Sequence, residues 1–239
     1  MEDEGVSVED LIKLKLIVVG NQGTGKSSIL NRFVNDTFEE NYQTTIGLDF
    51  QSKNITIHDQ DVRLIIYDTA GQEKFRSLIP MYIREAQIIL IIYDISDRNS
   101  FESIPNWIHE VNEVINKEVV FALIGNKIDL EDKRKVTYEE GKKLAEKNNF
   151  VFQEVSAKSG KNFENLFEVQ LFDSVYNKFK NEFEKRERMD EEGDPNFETN
   201  ANTNNKDINN NTTVKLDFNN VNNAQKAKNK RFNRYNNNR

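Results

Sequence analysis

The chain has 239 residues, of which 36% are hydrophobic and 31% charged, with a formal net charge of −7 and no cysteine. The lack of thiols excludes disulfides, thiolate catalysis, zinc–thiolate centres and lipidated cysteines, and an acidic folded part argues against duplex nucleic acid as the main partner. No apolar run approaches a membrane span, and residues 1–5 lack the basic and apolar regions of a signal peptide. Glu2 also stands where N-myristoylation needs glycine. The chain reads as cytoplasmic.

Aromatic and aliphatic residues are plentiful up to about residue 183 and sparse beyond it. This predicts a short acidic extension over 1–11, one domain over 12–186, and a tail over 187–239. Sixteen of the last forty residues are Asn. With no periodic apolar face to offset the entropy of ordering, the tail is expected to be disordered. Its charges are segregated: residues 182–198 carry eight acids against three bases, and residues 224–239 carry six Lys or Arg and no acid.

In chain order, the β-branched run over 14–19 predicts a buried strand, and a helical pattern runs over 27–33. Residues 35–45 are polar and aperiodic, hence a loop. Alternation over 48–57 and an apolar run over 62–67, joined by a polar turn at 58–61, predict an antiparallel hairpin. Buried strands follow at 87–93, 119–124 and 151–155. Helices are expected at 100–115 (reset near Pro105), at 138–148, and from 162 past 183. The alternation predicts an α/β fold, a doubly wound, mostly parallel six-stranded sheet with one antiparallel edge hairpin, in which ligands bind beyond the carboxyl ends of the strands.

Four segments at those ends carry chemistry. Gly20-Asn21-Gln22-Gly23-Thr24-Gly25-Lys26-Ser27-Ser28 contains G-x-x-x-x-G-K-S, the phosphate-loop signature. Its glycines let successive N–H groups turn inward around phosphate oxygens, and the following helix adds its N-terminal N–H groups and dipole. Lys26 supplies a charge for the β- and γ-phosphates, and the Ser27 hydroxyl suits Mg²⁺. In Asp68-Thr69-Ala70-Gly71-Gln72, Asp68 is placed to hold Mg²⁺, Gly71 to offer an N–H to the γ-phosphate, and Gln72 to orient an attacking water. In Asn126-Lys127-Ile128-Asp129, the Asp129 carboxylate matches the N–H and NH₂ edge that guanine presents and adenine lacks. Asn126 is placed to brace the loop and Lys127 to cover the base plane. Ser156-Ala157-Lys158 offers backbone N–H groups to the guanine carbonyl oxygen. Together these loops predict a GTP site. His58 and His109 are given no chemistry.

Residues 12–180 resemble a Ras-superfamily small GTPase, with the P-loop NTPase fold, and within it the Rab family. The Rab-like stretches are Ile46-Gly47-Leu48-Asp49-Phe50, Glu73-Lys74-Phe75-Arg76-Ser77-Leu78, Tyr82-Ile83-Arg84-Glu85-Ala86 and Tyr93-Asp94-Ile95-Ser96. The run 75–80 with 132–136 is similar to the Golgi-associated Rab branch. The resemblance implies that Thr45 binds Mg²⁺ and senses the γ-phosphate within switch I (38–50), that Phe38 lies against the guanine, and that 67–84 form switch II. It further implies slow intrinsic GTP hydrolysis, GTP/GDP and Mg²⁺ as ligands, and a monomer. Its implied partners are an exchange factor, a GTPase-activating protein and effectors read through Ile46, Phe50, Tyr67 and Tyr82. Three features depart from the family: Tyr67 where Trp is usual, the bulky Gln22 in the phosphate loop, and the lack of any cysteine to prenylate. Membrane contact is then expected to be weak, through the basic tail, peripheral on Golgi or other endomembrane. The alternative is a soluble, non-lipidated guanine-nucleotide-dependent adaptor with little hydrolytic role.

Overall fold

The computed structural model describes residues 11–40, 48–69 and 79–185, all within a first compact unit, Met1–Asp194. The acidic extension up to residue 10, the tail over 187–239, and the expected site residues Thr45, Ile46, Gly71 and Gln72 lie outside the described residues. The elements run β1 (Ile12–Val19), α1 (Lys26–Asn35), β2 (Leu48–Ile57), β3 (Gln60–Thr69), α2 (Ile79–Glu85), β4 (Ile88–Asp94), α3 (Arg98–Glu102), α4 (Ile104–Asn112), β5 (Val120–Asn126), α5 (Tyr138–Asn148), β6 (Val151–Glu154) and α6 (Phe172–Lys178). A 3₁₀ segment, Ile128–Lys133, follows β5, and a π-helical segment, Asn165–Leu171, leads into α6.

The six strands form one sheet in the order β2-β3-β1-β4-β5-β6. Every pairing is parallel except β2–β3, so the α/β sheet expected from the strand–helix alternation is the one observed. Strand periodicity explains why it is covered on both faces. In β1, Leu14, Leu16 and Val18 enter one core layer with α1, α6 and the π segment. Ile17 and Val19 enter the other, with α2, α4 and α5. β4 divides likewise, with Ile88, Leu90 and Ile92 against Ile89, Ile91 and Tyr93. A strand buried on both sides reads as an unbroken apolar run.

Four boundaries differ from the sequence expectation, each for a local reason. The hairpin turn has two residues rather than four: His58 and Asp59 both take positive φ, +46° and +64°, the twist-matched geometry of a tight hairpin. β3 therefore starts at Gln60, facing Ile57. The long helix expected over 100–115 is two helices, because Ser103 interrupts it and Pro105 occupies the first turn of α4. Residues 79–85 form α2, a segment too short to announce itself by periodicity. The last helix is not a continuous α-helix. Its buried pair Leu166 and Phe167 recurs five residues on as Leu171 and Phe172. A 3.6-residue period cannot keep both pairs on one face, and the π segment absorbs the extra residue. Phe33 of α1 fills the resulting site, stacked on Phe167 at 4.0 Å and tilted against Phe172 at 6.1 Å.

Candidate functional site

The carboxyl ends of β1, β3, β4, β5 and β6 all open on one edge of the sheet, and the residues expected to hold nucleotide gather there. β1 leads into Gly20, where a side chain would meet the Ile92 carbonyl oxygen at 2.3 Å; the loop lies too close to β4 for any other residue. Gly25 caps α1 with φ +88°, and a Cβ there would sit 2.3 Å from Asn126 Nδ2. The first intrahelical bond of α1 runs from Ile29 N–H to the Gly25 carbonyl. The first turn of α1 thus begins at the end of the phosphate loop, where a helix directs its N-terminal N–H groups outward. Gly25→Ala is expected to weaken nucleotide binding at least tenfold, since left-handed backbone costs an L-residue about 1–2 kcal/mol before any displacement of Asn126. Titration with fluorescent GDP measures it, and an unchanged Kd would show that the cap geometry is not needed.

Lys26 is buried, its Nζ donating to the carbonyls of Gly20 at 3.0 Å and Asn21 at 2.9 Å. Burial pulls its pKa down to about 8, against the opposing pull of the Asp68 carboxylate. Asp68, at the end of β3, is pushed the other way. Burial raises its pKa to about 6, while the Ser27 hydroxyl bonded to it and nearby Lys26 hold it down and Asp49 adds to the rise. Its Oδ1 is buried with no hydrogen-bond partner among the described residues. Both charges have thus lost water without full compensation. An anion beside Lys26 relieves the first, and a cation beside Asp68 and Ser27 relieves the second. The residues fit a phosphate group carrying a divalent cation. Among the described residues no cluster of three acidic or histidine ligands exists. Asp68 would supply a carboxylate for Mg²⁺, which is ordinarily held by one or two carboxylates together with the substrate's own phosphates.

Beside the phosphate loop, Gly23, Gly25, Ser28, Phe38, Asn126, Lys127, Asp129, Ala157 and Lys158 line one cavity of about 430 Å³ together with Glu39, Glu40 and Leu130. This size suits a nucleoside. Asn126 is buried and spans two walls, Nδ2 donating to the Thr24 carbonyl at 2.9 Å and Oδ1 accepting from Ala157 N–H at 3.1 Å. Lys127 takes left-handed backbone (φ +72°), and its Nζ reaches the Gly23 carbonyl and Asp94 Oδ2, both at 2.7 Å. Its stem is thereby drawn along the cavity wall. Asp129 Oδ1 accepts from Ser156 Oγ at 2.6 Å, and a carboxylate retains further acceptor sites after that bond. Thr24 and Ser156 are buried beneath the lining.

Several supporting residues escaped the sequence reading. Arg32, on α1, donates from Nε to the Ala157 carbonyl and from Nη2 to the Lys158 carbonyl, each at 3.0 Å. It fixes the loop after β6 from 125 residues away in sequence. Asp94 steadies Lys127, and its Oδ1 accepts from Ser96 N–H and Oγ. Lys158 Nζ meets Glu40 Oε1 at 2.9 Å, joining the loop after α1 to the loop after β6. No spacing rule announces such long-range partners; only the signal at Asp94, a carboxylate closing a buried strand, was available beforehand.

The aromatic residues expected to face partners lie on β2, β3 and α2. Phe50 is 57% exposed. Tyr67 tilts against Phe50 at 6.0 Å and against Tyr82 at 4.9 Å between ring centroids. A comparison with protein-family models finds the Ras family over residues 15–177. That interval includes every loop of the cavity and both Lys26 and Asp68. The chain belongs to the Ras family of small GTPases, whose members bind guanine nucleotide, typically with Mg²⁺, and hydrolyse GTP.

Proposed function

We propose that this GTPase is a Rab-type switch, alternating between GTP and GDP states and recruiting effectors in membrane trafficking. The observation that carries the Rab reading is the row Phe50, Tyr67 and Tyr82, three neighbouring rings with Phe50 largely exposed. Exposed aromatic clusters of this kind are what protein partners use as anchors. Tyr67 supplies a hydroxyl where the family usually places an indole, which bears on which effectors fit.

In the proposed mechanism the phosphate-loop N–H groups and Lys26 balance charge on the β- and γ-phosphates as the terminal phosphoryl group departs. Ser27, Thr45 and Asp68 would hold Mg²⁺, which would supply charge neutralisation for the phosphates. Gln72 orients the attacking water, and Thr45 and Gly71 sense the γ-phosphate, so that switch I and switch II relax once it leaves. The chain places no arginine by motif at the reacting phosphate. Intrinsic hydrolysis is then on the order of 10⁻⁴ s⁻¹, and an activating protein sets the working rate. An exchange factor resets the switch. The basic residues near the end of the chain favour peripheral contact with anionic Golgi or other endomembranes, about 1 kcal/mol each at most.

Single-turnover phosphate release, with and without a Rab-type activating protein, tests the hydrolytic part. Gln72→Leu is expected to lower the stimulated rate at least a hundredfold and leave GTP affinity within a few-fold of the native value. Equal rates for the two proteins would remove Gln72 from catalysis. A native protein insensitive to every activating protein would favour the soluble adaptor instead.

A further inference from the structure

The chain contains one tryptophan, and its indole is tied to the phosphate loop. Trp107 lies on α4, 3% exposed. Its Nε1–H donates to Asn21 Oδ1 at 2.9 Å. On the other side of the amide, Asn21 Nδ2 donates to Ser103 Oγ at 2.9 Å, and the Ser103 hydroxyl donates onward to the Asn99 carbonyl at 2.8 Å. Ser103 is the residue that separates α3 from α4. The amide therefore meets a group that only donates, the indole, and a hydroxyl whose proton is already committed. A side chain here must accept on one atom and donate on the other, which an amide does and a carboxylate does not.

The same residue holds the charged end of the site. The backbone carbonyl of Asn21 accepts from Lys26 Nζ at 2.9 Å and from Thr24 Oγ1 at 2.9 Å. Asn21 is thus a joint: its side chain is gripped by α3 and α4, and its carbonyl sets where the Lys26 ammonium rests. A buried indole N–H needs an acceptor, and α4 takes it from the phosphate loop rather than from its own neighbours.

We propose that Trp107 and Ser103 clamp Asn21, making Trp107 a positioning residue for nucleotide retention and linking the α3–α4 side of the domain to the phosphate site. The retention part rests on the GTPase reading above; the clamp itself does not.

Two measurements on the full chain separate them. With ¹⁵N-labelled tryptophan the protein gives one indole N–H resonance. Asn21→Ala is expected to shift it and to speed its exchange with solvent at least tenfold, with or without nucleotide. Release of fluorescent GDP is expected to quicken about tenfold in Trp107→Phe and in Asn21→Ala, and the double variant should be no faster than the faster single one, because both remove the same bond. Trp107→Phe keeps a large ring in the core, and Asn21→Ala lies at the half-exposed loop, so a folding defect in the first leaves the second informative. An unmoved indole resonance in Asn21→Ala, or single effects that multiply in the double variant, would overturn the clamp. Failure of the native protein to retain GDP would count against the GTPase reading alone, and the indole resonance would still decide whether Trp107 grips the loop.

Discussion

Asp129→Asn is expected to lower affinity for guanine nucleotides by about three orders of magnitude and to raise affinity for xanthine nucleotides. The Asp129 carboxylate lines the cavity after β5, with Oδ1 already accepting from Ser156 Oγ. A guanine edge presents two donors, an N–H and an NH₂, and hydrogen bonds to a charged group contribute about 1.5–3 kcal/mol each. Losing one of them, weakening the other to a bond with a neutral carbonyl and setting an NH₂ against the exocyclic amine together correspond to roughly 10²–10⁴ in Kd. The asparagine amide keeps an acceptor for one donor but points its own NH₂ at the other. Xanthine carries a carbonyl in place of that exocyclic amine, so the amide gains a partner there. The Ser156 bond survives, because a hydroxyl donates to an amide carbonyl as readily as to a carboxylate. Competition of GDP and XDP against a fluorescent nucleotide measures both arms, and an unchanged GDP affinity would remove Asp129 from base selection.

What the sequence disclosed follows the range over which each signal acts. The strands of the sheet were legible because burial on both faces leaves an uninterrupted apolar run, as in Ile88–Asp94, where every residue is buried. The phosphate loop was legible because its whole signature lies in one contiguous stretch, Gly20–Ser27. Features set by packing between distant segments were not. The π segment lets two buried pairs five residues apart share one face, and that this face receives Phe33 of α1 between Phe167 and Phe172 is set by packing with a segment more than 130 residues earlier. Ser103 reads as an unremarkable helix residue until α4 is seen to need its first turn for Pro105 and its hydroxyl for Asn21.

The braces of the site share one design. Asn126 and Arg32 each satisfy a backbone carbonyl or N–H of a ligand loop from another element, and Trp107 and Ser103 grip the Asn21 side chain of the phosphate loop. Loops at the end of a sheet lack ladder partners for their backbone groups, and side chains arriving from helices and neighbouring loops fill that role. A loop so held keeps its N–H groups directed before the ligand arrives, which reduces the ordering cost on binding.

Asp68→Asn should make the cation-free protein more stable at neutral pH and deprive it of Mg²⁺-dependent stabilisation. The sign follows from the direction of the shift. An unfolded Asp titrates near 3.9, whereas burial pushes Asp68 up to about 6 in the fold. The folded state then binds the proton more tightly. Its advantage is complete below about pH 4 and is lost as pH rises through about 6. Lys26, held near 8, is charged throughout that window and adds nothing to the slope. At pH 7.5 the ionised carboxylate costs the cation-free protein on the order of 3 kcal/mol at most. Asparagine removes the charge but leaves a buried oxygen in place of Asp68 Oδ1, so about 2 kcal/mol of relief is the expected gain, a rise of roughly 4–8 °C in Tm. At pH 4.5 the two proteins should melt within a few degrees of each other. Saturating GDP and Mg²⁺ should reverse the order, since binding stabilises only the protein that retains the carboxylate to hold the cation. Thermal melts at both pH values, with EDTA and with Mg²⁺–GDP, decide it: a lower Tm for Asp68→Asn in EDTA at pH 7.5, or equal gains from Mg²⁺ in both proteins, would show that Asp68 is no cation ligand held ready at a cost to the empty fold.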